Sequence, residues 1–257
     1  MQLEQITPLI LTYNEADNID RTLSHLNWAK QIIVIDSFSS DLTLEILESY
    51  PTVKLYQRAF DTHACQWNYG VGQVGTEWVL SLDADYIVPP ELYQELVMLE
   101  PGEAIGGYFI PFKYCVCGHP LRGTILPPRQ ALFRRDRGQY IDDGHTQLLH
   151  VTGESAHLKS YFYHDDRKPL GRWLWAQDRY MVIEAQKLLN TPAQDLSWGD
   201  RLRKQKIIAP FVVLFYCLIL RGGILDGWYG WYYAWQRMLA EIVLALRLIE
   251  QEKLPRH

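Results

Sequence analysis

Four times in the first hundred residues an apolar run gives way to a helical pattern, and the connections between them are short. Residues 6–12, ITPLILT, read as a strand with Pro8 near its start. QIIVIDS is an unbroken run of Ile and Val, the kind that belongs to a parallel strand covered on both faces. VKLYQRA and EWVLSLDAD read as the third and fourth strands. After the first strand, Ile19, Leu23 and Leu26 recur at helical spacing, with Asn14 or Asp17 as the cap. DLTLEILESY reads as a helix with Asp41 near its start and Pro51 beyond its end. THACQWNYGVGQV reads as helical despite its glycines, and PPELYQELVML has prolines in its first turn, where a missing N–H costs nothing. This alternation predicts a doubly wound α/β unit, a mostly parallel sheet with helices on both faces.

Beyond residue 105 the pattern changes. GGYFIPFKYCVCG, QALFRR and LKSYFYH are β-like and predict an antiparallel extension of the sheet. Residues 168–190 predict a long amphipathic helix, and residues 192–206 are polar. We therefore expect a main domain over 1–190, divided into halves 1–100 and 101–190, and a helical region over 191–257. At 257 residues, 48% apolar and 21% charged, the chain can bury such a core. A net charge of -5 without a long basic tract argues against nucleic acid as a partner. Cys115 and Cys117 are too close for a zinc knuckle, and all four cysteines read as reduced cytosolic thiols. MQLEQ leads straight into a strand, so no signal peptide is expected. GVGQVG precedes a strand rather than following one, which rejects it as a dinucleotide fingerprint.

Three polar clusters fall at the carboxyl ends of predicted strands: Thr12-Tyr13-Asn14-Glu15, Asp36-Ser37 with Ser39-Ser40-Asp41, and Asp83-Ala84-Asp85. Open α/β sheets bind ligands outside such ends, so the three should line one crevice. If the fourth strand continues through them, Asp83 and Asp85 share a face. A hard divalent cation would accept these oxygens and complete its shell with water and phosphate. The competing readings are Asp85 as a cap of the following helix, or both aspartates as solvated loop residues.

The series LTYNEADNI, IIVIDSFSSDLTLEI and WVLSLDADYIVPPEL resembles the nucleotide-sugar-binding half of family 2 glycosyltransferases, inverting enzymes of the GT-A fold. It is most similar to the bacterial branch that builds lipopolysaccharide core or related surface glycans. The resemblance covers residues 6 to about 100 and continues more loosely through LFRRDRGQYIDDGHTQL and YHDDRKPLGRWLWAQDRY. It implies a GT-A type, Rossmann-like fold, a nucleotide-sugar donor, most simply UDP-linked, and a divalent metal, Mn2+ or Mg2+. It also implies roles. Thr12, Tyr13 and Glu15 would line the uridine pocket, and Asp36 would meet the base or ribose, with Ser40 and Asp41 completing its motif. Asp83 would approach the ribose or the metal, and Asp85 the metal. Gln66 and Asn68 lie where the family often places polar contacts to the donor. Where the family usually continues D-A-D-E, this chain has Tyr86.

Inverting transfer needs a base opposite the departing diphosphate. In YIDDGHTQ the candidates are Asp143 first, then Asp142 and His145, although Asp-Asp-Gly is also ordinary turn chemistry. Many relatives follow this point with a His-Glu pair; here Thr146 follows His145. A histidine from the second half often completes a GT-A metal site, which makes His164 or His145 a candidate ligand beside a purely structural role. Of Arg129, Arg134 and Arg135, one could bind the donor diphosphate, because a guanidinium matches phosphate geometry; Arg129 is the candidate carried forward.

The segment IIAPFVVLFYCLIL, residues 207–220, is shorter than the roughly 20 residues a spanning helix needs. Its basic entry and the Trp/Tyr cluster after it describe an element lying in a membrane interface, with a buried hairpin or an oligomer interface as the alternative. The chain is thus expected to be a cytoplasmic enzyme, peripheral on the inner face of the plasma membrane. It would move sugar from a nucleotide diphosphate to a glycan or lipid-linked acceptor in cell-envelope glycan synthesis. Two other classes use the same residues. One is a nucleotide-sugar-binding membrane protein without catalysis, suggested by Tyr86 and Thr146. The other is a metal-dependent phosphohydrolase.

Overall fold

The computed structural model describes residues 1–143 and 146–253, with backbone alone at Asp143 and Thr146. Two compact units divide the chain: Met1–Gly118 with Leu126–Arg167, and His119–Ile125 with Lys168–His257. The first unit thus ends at Arg167 rather than at the expected 190.

The strands are β1 (Ile6–Thr12), β2 (Ile32–Asp36), β3 (Val53–Gln57), β4 (Trp78–Asp83), β5 (Tyr86–Ile87), β6 (Ile105–Ile110) and β7 (Phe112–Val116). A two-residue strand, β8 (His119–Pro120), falls in the second unit. Then follow β9 (Arg129–Arg134), β10 (Gly138–Asp143), β11 (Thr146–Val151), β12 (Glu154–His157) and β13 (Phe162–His164). The first unit's helices are α1 (Ile19–Ser24), α2 (Thr43–Glu48), α3 (His63–Gln73) and α4 (Pro90–Met98). Its main sheet runs β12-β6-β9-β4-β1-β2-β3. The pairs β1–β2, β2–β3 and β1–β4 are parallel, and β9 inserts antiparallel between β4 and β6. The chain passes from β1 to β2 on one side, while β4 lies on the other. Between β1 and β4 the winding reverses, which opens the ligand crevice of such folds.

Alternation along the strands separates two cores. Ile6, Ile10, Ile32, Val34, Trp78, Leu80 and Leu82 join one apolar cluster with Leu23 of α1 and Leu92 of α4. Leu9, Ile33, Ile35 and Val79 join the other with Trp67 and Val71 of α3 and Tyr140 of β10. Gly70 of α3 serves packing: a Cβ there would meet the Leu9 side chain at 2.6 Å, so the helix lies close against the sheet at this point.

Two local expectations fail. The helix α1 starts after Asn18, not after Asn14 or Asp17, and Asn18 makes no side-chain cap bond. Strand β4 stops at Asp83, and Ala84 and Asp85 form a turn, so the two aspartates do not continue one strand face. The reason lies one residue on. The Tyr86 ring is buried against Phe112 and Phe162, with centroids 5.2 and 5.6 Å away, and this draws the chain out of the sheet. Thr22 Oγ1 holds the turn by donating to Ala84 O at 2.6 Å.

The second unit contains α5 (Leu170–Asn190), α6 (Trp198–Arg203), α7 (Ile208–Phe215), a π-helical turn (Tyr216–Leu220) and α8 (Trp228–Lys253). Met181, Ala185 and Leu188 of α5 share a core with Leu244 and Leu248 of α8. The aromatic cluster forms the first turns of α8. Gly230 lets α8 approach closely, since a Cβ there would collide with the carbonyl of Gly223. Among the described residues no helix is long and apolar enough to cross a membrane.

Candidate functional site

The first two polar clusters are tied together beside the switch point. Thr12 pairs in register with Asp36, and Thr12 Oγ1 donates to Asp36 Oδ2 at 2.9 Å. Ser39 N donates to Asp36 Oδ1 at 2.8 Å, and the Ser39 hydroxyl donates to Oδ2. Asp36 is 0% exposed and Thr12 only 3%. Both were expected to touch the donor, and in this structure their polar atoms brace the loop that follows β2. Gln66 is likewise buried, donating to Ser37 Oγ at 2.9 Å and to Arg58 O at 3.1 Å while accepting from the Arg58 guanidinium. Asn68 exchanges two bonds with the Tyr140 backbone, at 2.8 and 2.9 Å, and so fixes α3 to β10. Burial of a polar group is tolerated when it is satisfied in this way. The residues of the set that face solvent are Tyr13, half exposed, and Ser40. Ser40 N donates to Asn14 Oδ1 at 2.8 Å, and Asn14 sits at φ 55. Glu15 is partly buried, and its N–H donates to Thr43 Oγ1 at 2.7 Å.

The third cluster separates the two aspartates. Asp83 Oδ2 accepts from Arg129 Nη1 at 2.8 Å, and the same Nη1 lies 3.3 Å from the Tyr86 hydroxyl. Burial works to raise the Asp83 carboxyl, but the Arg129 guanidinium prevails and holds it below the usual range. Asp85 turns to the other side, where its Oδ2 lies 3.1 Å from His164 Nε2. Burial works to lower the His164 imidazole, and the charge of Asp85 overrides it, so the ring's pKa is raised. Tyr86 has its hydroxyl pushed well up by burial and by Asp83. The position that usually holds an acid thus holds a neutral donor beside Arg129.

Among the described residues no group of three or more His, Cys, Asp or Glu side chains is arranged to hold a metal. The expected trio of Asp83, Asp85 and His164 is not assembled, because Arg129 already neutralises Asp83. Among the described residues, buried polar atoms of this cluster nevertheless lack a hydrogen-bond partner, namely Asp85 Oδ1, His164 Nδ1 and Arg129 Nη2. Buried groups left in this state cost free energy unless something else satisfies them. Of the candidate bases, Asp142 is exposed near the end of β10, with Oδ1 accepting from Ala64 N in the first turn of α3 at 3.3 Å. His145 and the side chain of Asp143 lie outside the described residues.

A further set was not anticipated. Asn18, Arg21 and Asp165 to Arg167 form a connected polar network next to His164. Their signals in the sequence were a polar residue at a helix start and an acid pair directly after a candidate histidine.

The sequence profile described as Glycosyl transferase family 2 matches residues 9–146, more than half of the chain. An uncharacterized glycosyltransferase of Rickettsia bellii is 32% identical over 94 residues, covering 36% of this chain and 32% of the relative. The poly-beta-1,6-N-acetyl-D-glucosamine synthase of Staphylococcus aureus is 36% identical over 97 residues, covering 34% of this chain and 23% of the relative. The match therefore spans about a third or less of these curated relatives. The mannosyltransferase PcManGT of Pyrobaculum calidifontis, solved with GDP-Man and Mn2+, superposes with a TM-score of 0.58 at 16% identity, covering 97% of this chain and 88% of that one. S. aureus TarS 1-349, solved with UDP-GlcNAc, gives 0.51 at 16% identity, with coverages of 96% and 90%. At this identity the two structures speak to the fold, which is of GT-A type. A profile match running from the middle of β1 to the start of β11 takes in every polar strand end described above, and the chain belongs to glycosyl transferase family 2.

Proposed function

We propose that this chain transfers a sugar, with inversion, from a nucleotide diphosphate donor to a glycan or lipid-linked acceptor. The carrying observation is the group of partnerless buried atoms, Asp85 Oδ1, His164 Nδ1 and Arg129 Nη2, beside the switch point. One carboxylate oxygen, one imidazole nitrogen and one guanidinium N–H together suit a diphosphate with its cation, and they suit neither alone. A hard cation takes few protein ligands and keeps phosphate and water in its shell, so the Asp85 carboxylate would hold it. The His164 Nε2 contact would orient that carboxylate and leave Nδ1 to the phosphates. A bound cation supplies charge neutralisation for the leaving diphosphate. Arg129, held by Asp83 and Tyr86, offers Nη2 to the same phosphates. Tyr13, Glu15 and Ser40 would border the nucleoside over the braced Asp36. The proton of the acceptor hydroxyl goes to Asp143, with Asp142 and His145 as the alternatives.

A UDP-linked donor is favoured by TarS, solved with UDP-GlcNAc. A GDP-linked sugar is the alternative raised by PcManGT. Work in cell-envelope or lipopolysaccharide-core synthesis rests on the resemblance of the three motifs. Docking on the inner membrane face is supported by the second unit, where Ile207, Phe211, Leu220, Leu225 and Trp228 are each more than half exposed. A shallow apolar groove of about 210 Å³ runs between α7 and α8, lined by Pro210, Phe211, Met238, Ile242 and Leu246. Between residues 207 and 240 the acid Asp226 is buried against Arg122, while Arg221 lies over the Tyr216 ring and Arg237 Nε is without a partner. That balance of charge suits anionic lipid.

The test is a panel of UDP- and GDP-sugars with Mn2+ or Mg2+, with and without a core oligosaccharide acceptor, read as release of nucleoside diphosphate. A transferase releases it faster with acceptor. Release of nucleoside monophosphate and sugar 1-phosphate, indifferent to acceptor, makes the chain a phosphohydrolase, and binding without release makes it an inactive binder. Asp85→Ala should abolish metal-dependent UDP binding in calorimetry. Asp143→Asn should slow transfer at least a hundredfold with UDP affinity within twofold.

A further inference from the structure

We infer that Asn18 is a positioning residue for the transfer step, clamping the chain segment after His164 to the end of β1; this rests on the reading just proposed. Asn18 is 1% exposed and stands at the N-cap of α1. An asparagine there ordinarily accepts from the helix's first free N–H groups, yet this one makes no cap bond. Its amide is used elsewhere, and completely. Nδ2 donates to Glu15 Oε2 at 3.1 Å and to Asp166 Oδ1 at 2.9 Å. Oδ1 accepts from Arg21 Nη2 at 2.9 Å and from the backbone N–H of Arg167 at 2.9 Å. Two donors and two lone pairs are the full capacity of the group.

The bonds lead on to the chemistry through Arg21 and Asp165. Arg21 Nη2 also donates to Asp165 O at 2.7 Å. Asp165 N donates to Asp85 O at 3.0 Å, directly beside the Asp85–His164 contact. The Asp165 carboxylate is 1% exposed and accepts from Gly118 N at 2.9 Å and Arg167 Nε at 2.8 Å. Asn18 thus joins Glu15, at the end of β1, to residues 165–167, which continue the strand carrying His164. One link between the nucleoside end and the diphosphate end of the site passes through this amide, beside the β1–β4 pairing and the Thr22–Ala84 bond. Misplacement by an ångström costs reactions of this kind far more than it costs binding.

Asn18→Asp isolates the role. It keeps the size and both acceptors, removes both donors, and leaves a residue that caps helices equally well. With the full chain, amide exchange is followed by mass spectrometry, and kcat and KM are measured for the panel donor that the wild type turns over fastest. We expect the amides of Asp165 and Arg167 to exchange at least tenfold faster while β1 and β4 stay protected. We expect kcat to fall about tenfold with KM within twofold. The double variant Asn18→Asp with Asp166→Asn exchanges donor for acceptor across the contact and should recover at least threefold of the lost kcat. Faster exchange throughout the sheet would make Asn18 merely structural, and an unchanged kcat would remove the positioning role; either overturns the inference while leaving the transferase reading intact. A wild-type chain that turns over none of the panel removes that reading and the inference with it.

Discussion

The two units both bury acids, but they satisfy them differently and leave different apolar surfaces. In the first, Leu9, Ile33, Val34 and Leu80 are fully buried between sheet and helices, and the buried carboxylate of Asp36 is wrapped in hydroxyl and backbone donors. In the second, the acids Glu184, Asp226 and Glu241 are buried, while Ile207 at 79% and Leu225 at 67% face outward. Arg203 reconciles this interior, with Nη1 2.6 Å from Glu184 Oε1 and Nε 3.1 Å from Glu241 Oε2. The difference teaches that the first unit is built against water. The second holds its helices together partly through charge, and so keeps large apolar side chains for its surface. Such a surface is a candidate interaction site.

The largest expected effect comes from removing the hinge of that contrast. Arg203→Ala leaves Glu184 and Glu241 without their guanidinium in a buried setting, which should cost about 3–5 kcal/mol in urea unfolding. A cost below about 1 kcal/mol would mean that the second unit is held by its apolar core alone. Next comes the surface itself. Phe211→Glu with Leu225→Glu should lower partition onto phosphatidylglycerol liposomes at least tenfold, roughly 1.4 kcal/mol, with UDP binding unaltered. Equal sedimentation of variant and wild type would point to another partner for this face.

The smallest effect probes the contrasting carboxylate style of the first unit. Glu95 accepts from Lys159 N at 2.9 Å and Ser160 N at 2.7 Å, fixing α4 to the approach of β13. Burial works to raise its carboxyl, but the two N–H donors hold it below the ordinary value of 4.5. A carboxyl depressed on folding contributes stability that is present above its unfolded value and lost as pH falls through the folded one. Glu95→Gln should therefore cost about 1 kcal/mol at pH 7. Its difference from wild type should shrink below about pH 4.5, read from melting temperatures across pH. A difference that grew on acidification would contradict the assignment.

Much of the first unit was legible because its signals are local. Strand β1 runs from Ile6 to Thr12 as its residues predict, and the unbroken Ile32–Asp36 run is a parallel strand with both faces covered. The polar residues at the ends of β1, β2 and β4 were also readable, since a strand's last residues are visible in its periodicity. What those residues do with their polar atoms was not. Asp36, expected to meet the base or ribose, also accepts from Thr12 and Ser39, and Asp83, expected at the ribose or the metal, is paired with Arg129, 46 residues away.

Periodicity and turn chemistry are written in neighbouring residues, so the sequence by itself determined the α/β alternation, the parallel sheet and the strand ends where the site lies. Which partner each buried charge meets depends on strand order, on β9 inserting next to β4 and β13 pairing with β5. That order follows from how whole faces bury one another. Only the tertiary structure could therefore send Asp83 to Arg129, Asp85 to His164, and the amide of Asn18 across to Asp166.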